Sequence, residues 1–278
     1  MSVSIEVARG TEPLLLSIPH TGTDIPAEIE ASLVSPWLAR KDTDWRIEDL
    51  YVFATELGAT IVRTPVSRTV IDVNRDPSGT SLYPGQATTG LCPTETFDGE
   101  RLYLPGREPG EGEIARRRAL YFKPYHAALS AEIVRLREAH DAIVLYDCHS
   151  IRSVIPRLFD GELTHMNIGT NSGASCGPGL QRAIEAVCAS SSLSWIANGR
   201  FKGGWITRRY GEPARGVHAV QMELACRAYI AEPTPAVDES NWPPVYDAGR
   251  ARNMRDTLRS VLEVCHAFAR RDPKVPLA

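Results

Sequence analysis

The run Ile143-Val144-Leu145-Tyr146 leads straight into Asp147, Cys148 and His149, with Ser150 and Arg152 close behind. An apolar stretch of this kind reads as a buried strand, and strands usually end in turn residues rather than in an acid, a thiol and an imidazole. The pattern recurs. PLLLSI (13–18) leads to His20, RTVIDVN carries Asp72 and Asn74 and is followed by Arg75, and GVHAVQMEL (216–224) brings Glu223 to its end. Histidines and carboxylates gathered at one sheet edge are the donor set of a zinc hydrolase. Zinc takes neutral imidazole and carboxylate oxygen and leaves one position for water, whose pKa it lowers while a carboxylate takes the proton.

Each residue also has a plainer reading. His20 follows Pro19 at a strand end and could cap or pack. Asp147 lies two positions before His149, on the same strand face, where it could orient the imidazole or simply satisfy a polar strand end. Glu223 in VQMELA is costly to bury unless paired or employed; function is favoured, with a salt bridge as the alternative. Asp42 and Asp44 of DTDW stand ahead of a helical pattern, where an acid is an ordinary cap. Cys148 alternates with His149, so the thiol faces the packing side and no Cys–His dyad forms.

Arg68, Asn74 and Arg75 in SRTVIDVNR offer planar forks and an amide for an anionic substrate. The stretch NGRFKGGWITRRYG, which holds Asn198, Gly203 and Arg208, reads as a glycine-rich loop that completes a binding pocket. No GxGxxG, GxxxxGK[ST] or GxSxG occurs, so nucleotide binding and an esterase elbow are without support.

The elements that must position these residues follow from periodicity. Strands are expected at 13–18, in ATIVRTPVS and RTVIDVN, at 142–147 and at 216–224. Helical spacing runs over Thr43–Leu57 with Gly58 as C-cap, over Glu113–His140 with Pro124 kinking or splitting it, over about Gly179–Ser190, and over 246–270. Residues 76–112 are rich in Pro and Gly without periodicity, the mark of a functional or disordered loop. Alternating strands and helices argue for an α/β fold with a mixed, mostly parallel sheet covered by helices on both faces, read as a single domain over 1–278. Ligands of such sheets bind beyond the carboxyl ends of the strands.

Composition narrows the partners. The 278 residues are 43% hydrophobic and 23% charged, with net charge −3, which gives no footprint for nucleic acid or an anionic membrane. No apolar run nears the roughly 20 residues that span a bilayer. The start MSVSIEVARGTEP lacks the features of a secretory leader, and six scattered cysteines without CxxC read as reduced thiols in a cytoplasmic protein. The oligomeric state is left open.

SIPHTGTDIP, DTDW, SRTVIDVNRDP, LYPGQATTGLCP, YDCHSIRS, NIGTNSGASC, NGRFKGGWITRRYGEP and GVHAVQMELA together resemble the N-formylglutamate amidohydrolase (deformylase) family from about residue 10 to residue 230. The resemblance implies a phosphorylase/hydrolase-like α/β fold shared with zinc carboxypeptidases and aspartoacylase. It also implies metal-dependent hydrolysis of N-formyl-L-glutamate to L-glutamate and formate, the last step of a bacterial histidine-degradation route. On that pattern His20 and His149 are the outer metal ligands, Asn74-Arg75 the pair for a substrate carboxylate and Glu223 the base. Thr23 stands where an HxxE motif has Glu, so the third ligand is assigned to Asp44, with Asp42 and Asp24 behind it. One Zn²⁺ per chain is expected, with Arg68 stabilising the oxyanion and Arg208 holding the second carboxylate. The alternatives are an amidohydrolase acting on another N-acyl amino acid, or a metal-free binding protein.

Overall fold

The computed structural model describes residues 4–82, 84–234 and 236–271. Seven strands form one sheet: β1 (Glu6–Ala8), β2 (Leu14–Ile18), β3 (Thr60–Arg63), β4 (Ile143–Ile151), β5 (Met166–Gly169), β6 (Trp195–Ala197) and β7 (Val217–Ala225). Their order is β1-β3-β2-β4-β7-β5-β6. The central strands β3, β2, β4 and β7 run parallel. The edge strand β1 is antiparallel to β3, and the β5–β6 pair is antiparallel to β7. Every residue of β2, β4 and β7 is buried, as continuous apolar runs covered on both faces require.

The helices are α1 (Ala27–Glu30), α2 (Ile47–Leu50), α3 (Glu111–Arg117), α4 (Lys123–Ala139), α5 (Pro178–Ser190), α6 (Trp205–Tyr210) and α7 (Ala248–Ala269). One face of the sheet packs Val144, Tyr146 and Cys148 against α5 and α7. The other packs Leu15, Leu145 and Ala219 against α4 and α6. Strand alternation then assigns the polar ends. Ser17, Asp147, His149, Gln221 and Glu223 all share parity with the α4 face, so they emerge together beyond the core at the carboxyl ends of the strands. The mixed, mostly parallel α/β sheet is thus the one the patterning predicts. No helix among the described residues is long and apolar enough to cross a membrane.

Several elements differ from expectation. RTVIDVN is no strand. Both edges of β3 are occupied, by β1 and β2, so the segment after it has no ladder to join. It folds instead as a buried turn: Val70 N–H bonds Ser67 O, Asp72 N–H bonds Leu91 O, and Asp72 Oδ1 accepts from Asn74 N. The helical spacing over 43–57 yields only α2 and a 3₁₀ turn at Val52–Thr55, because Arg46 takes a left-handed φ of 67° and Asp44 N–H is drawn to His20 O. Gly58 does close this stretch, with φ +67° and its N–H on Thr55 O. A π-helical turn at Arg118–Phe122 joins α3 to α4 ahead of Pro124. The short strands β5 and β6 went unread, as did α6, which occupies much of the expected 198–211 loop.

Candidate metal centre and substrate cleft

His20 stands two residues beyond β2. Its main-chain oxygen accepts from Asp44 N–H at 3.0 Å, which ties DTDW to the strand end. Its Nε2 lies 2.7 Å from Asp72 Oδ1. His149, near the end of β4, sets Nε2 3.0 Å from Asp147 Oδ2. Each ring is therefore held from behind by a buried acid, and both turn Nδ1 toward one carboxylate: Asp44 Oδ2 is 3.1 Å from His149 Nδ1 and 3.6 Å from His20 Nδ1. The imidazole centroids are 4.8 Å apart.

His20, Asp44 and His149 each offer a donor atom within 4.8 Å of the other two, all buried. His20 Nδ1 is a buried polar atom with no hydrogen-bond partner, although buried polar atoms are normally satisfied. The orphan nitrogen and the N₂O donor set fit a divalent cation such as Zn²⁺. Of the alternative acids, Asp42 accepts from Phe97 N and Arg152 Nη2, and Asp24 is exposed.

The charges around these rings are tightly opposed. Burial pushes Asp44 up, but His20 and its bond to His149 hold it below the usual carboxylate range. Asp72 is likewise buried, yet Arg75, His20 and Arg68 keep it well below. For His149, burial favours the neutral ring, but Asp147 and Asp44 outweigh it and raise the pKa. Arg68 places Nη1 3.2 Å from Asp44 Oδ1 and Nη2 2.9 Å from Asp72 Oδ2, with its guanidinium 4.8 Å from the Phe97 ring centre.

Glu223 behaves differently from these acids. Burial pushes its carboxyl up to about 7, with His149 pulling down and Asp44 pushing up. Gln221 holds it, donating Nε2–H to Glu223 Oε2 at 2.9 Å while its Oε1 accepts from Gly204 N–H. A buried carboxyl that titrates near neutrality is suited to take and return protons. Cys148 lies on the opposite face, and burial raises its thiol well above the ordinary range, which leaves no nucleophilic thiolate.

A cleft opens over His20, His149 and Glu223. Arg68, Asn74 and Arg75 also line it. The Asn74 amide is engaged inward: Nδ2 faces Asp147 Oδ2 at 3.1 Å and His149 Nε2 at 2.9 Å, and Oδ1 accepts from Ile206 N–H at the start of α6. Arg75 rests on Thr89, through Nε to the main-chain oxygen and Nη2 to the hydroxyl.

Asn198, Gly203 and Arg208 are not among the residues that line the cleft. Asn198 shapes the turn at Thr170–Ser172, accepting both N–H groups, and Arg208 Nε bonds Gly203 O. The side chains that do come from this segment are Arg200 and Phe201. Sequence reasoning missed Arg200, Gln221 and Phe97. For Arg200 the available signal was its place ahead of Gly203-Gly204, where the chain is still loop, whereas Arg208 falls on a helix.

A family model described as N-formylglutamate amidohydrolase matches residues 12–230. An N-formylglutamate deformylase of Pseudomonas aeruginosa is 44% identical over 271 residues, covering 97% of this chain and 98% of the relative. One of Pseudomonas putida is 47% identical over 228 residues, covering 82% and 85%. Among solved structures, the N-formylglutamate amidohydrolase of Ralstonia eutropha JMP134 superposes with a TM-score of 0.76 at 24% identity, covering 98% of this chain and 99% of its own.

Proposed function

The chain belongs to the N-formylglutamate amidohydrolase family, and on that premise we propose that it hydrolyses the formamide C–N bond of N-formyl-L-glutamate, giving formate and L-glutamate. The observation that carries the mechanism is the convergence of two back-anchored imidazoles and Asp44 beside Glu223, in one cleft. The cation would be held by His20 Nδ1, His149 Nδ1 and the Asp44 carboxylate, with Zn²⁺ the first candidate. When bound it supplies Lewis acidity, acidifying water and polarising the formyl oxygen.

The chain's own groups do the rest. Glu223 takes the proton of the attacking water as its oxygen bonds the formyl carbon, then returns it to the nitrogen as the C–N bond breaks. Arg68, at the cleft wall, adds positive charge where the oxyanion develops. Asp72 and Asp147 fix the two imidazoles so that Nδ1 faces inward. Arg75 holds the substrate α-carboxylate, and Asn74 places it while bracing Asp147 behind His149. The activity is that of the closing step of a bacterial histidine-degradation route, in the cytoplasm.

The deciding experiment is formate release from N-formyl-L-glutamate by purified protein before chelation, after chelation, and after restoring single divalent metals. We expect turnover, its loss with chelator and its return with Zn²⁺ or a similar ion. Turnover that survives complete metal removal would overturn the metal assignment. Absence of turnover with every metal would overturn the substrate.

A further inference from the structure

We propose that Arg200 recognises the side-chain carboxylate of the substrate and so sets the preference for an acidic amino acid. This deepens the proposed deformylase activity and rests on it. A substrate with two carboxylates needs two cationic grips, and the cleft's arginines differ in how they are employed. Arg68 is committed to Asp44 and Asp72, at 3.2 and 2.9 Å. Arg75, beside Asn74, is assigned to the α-carboxylate above. Arg208 does not line the cleft. Arg200 does, next to Phe201 and Leu158.

Arg200 is also built into position. Its Nε donates to Leu158 O at 2.8 Å and its Nη2 to Ala87 O at 3.0 Å. Bonds to two carbonyls on different segments help fix the plane of the guanidinium. Its charge lies 5.3 Å from the centre of the Phe201 ring. A planar fork held by its neighbours is what carboxylate recognition asks for, since little freedom is lost on binding.

Arg75 leans on Thr89 and Arg200 on Ala87, so the two grips share one non-helical segment of the cleft wall. Phe97, Ile151, Leu158 and Phe201 supply apolar wall for the methylenes between.

The test compares N-formyl-L-glutamate with N-formyl-L-glutamine, which has nearly the same shape and a neutral side chain. The wild type should prefer the acid. In Arg200→Gln the ratio of the two kcat/KM values should collapse by about 10–100-fold, the span expected for one charge-assisted contact. Arg200→Lys, which keeps the charge without the fork, should retain an intermediate ratio. A turnover-independent reading is the shift in melting temperature with L-glutamate against L-glutamine as ligand, which should differ in the wild type and converge in Arg200→Gln. A variant that keeps the wild-type ratio and the wild-type difference in shift, whatever its absolute rate, would overturn the assignment. Wild-type inactivity on both formyl compounds would instead sink the deformylase reading and this proposal with it.

Discussion

His149 and Glu223 are register partners on the adjacent parallel strands β4 and β7. Their side chains leave the sheet on the same face, at the same height. The pairing gives the cleft an imidazole that faces Asp44 and a carboxyl that titrates at about 7, with no loop between them to adjust. Strand register alone thus fixes the distance between the candidate cation ligand and the candidate base.

Replacing Glu223 by Gln keeps the shape and removes the proton acceptor. We expect kcat to fall by 10²–10⁴-fold, the usual contribution of a positioned base, with stoichiometric metal retained. In the wild type the sign of the pH dependence follows from the raised pKa. The carboxyl must be ionised to act, so kcat/KM falls as pH drops through its pKa. That limb lies at or below about 7, because a neighbouring cation favours the charged form. A variant with near-normal kcat, or a wild-type rate that climbs as pH falls from 7 to 5, would remove Glu223 from the role.

Asp147 and Asp72 stand behind His149 and His20 but are not equivalent. Asp147 also accepts from Ser17 Oγ and Asn74 Nδ2, whereas Asp72 carries ion pairs to Arg68 and Arg75. Asp147→Asn should weaken metal binding by about 10–100-fold with a modest effect on melting. Asp72→Asn should weaken it similarly and also destabilise the fold by about 1–3 kcal/mol, because Arg68 loses one of its two buried carboxylate partners. Competition with a chromogenic chelator reads the first quantity and urea unfolding the second. Equal stability losses in the two variants would contradict this division.

The site was legible in the sequence where apolar runs broke off in polar residues. His20, His149 and Glu223 stood out because several apolar runs ended in polar residues at once, although each alone also read as a cap, a satisfied strand end or a salt bridge, and alternation separated Cys148 from its neighbours. Asp44 was harder to place. Its position depends on a main-chain bond to His20 O, and without it an acid before a helical pattern looks like a cap. RTVIDVN misled because β-branched residues report fit to a pleated surface and say nothing of whether a sheet edge is open. Arg200 lines the cleft and Arg208 does not because the start of α6 at Trp205 decides which arginine stays in the loop. β5 and β6, at four and three residues, are too short to establish a period.

Gly204, just ahead of α6, packs against the Asn74 side chain. A Cβ there would lie 2.4 Å from Asn74 Nδ2 and 2.6 Å from Oδ1. Asn74 cannot swing away without dropping Asp147 and Ile206 N–H. Gly204→Ala should therefore cost about 1–3 kcal/mol of stability and depress activity further than that loss explains. A variant with wild-type melting and turnover would show that the Asn74 side chain is not held as described.

His126 links α4 to the segment that carries Asn74. Its Nε2 lies 2.8 Å from Val73 O and its Nδ1 2.9 Å from Tyr210 Oη. The ring donates to the carbonyl through Nε2–H, and its Nδ1 faces a hydroxyl that also reaches His126 O at 3.2 Å. Burial lowers its pKa to about 4, against the Val73 bond and Asp147, which favour the proton. Because the folded value lies below the unfolded value of about 6.5, the unfolded chain takes the proton first as pH falls. The neutral ring's contribution is thus complete above pH 6.5, declines between 6.5 and 4, and is gone below 4. Linkage puts the loss at about 2 kcal/mol by pH 5. Urea unfolding at pH 7 and pH 5, with chelator present, should show a steeper loss in the wild type than in His126→Gln, by about that amount, even though the variant starts less stable. Parallel losses in the two proteins would mean that His126 is protonated, or solvated, in the folded state.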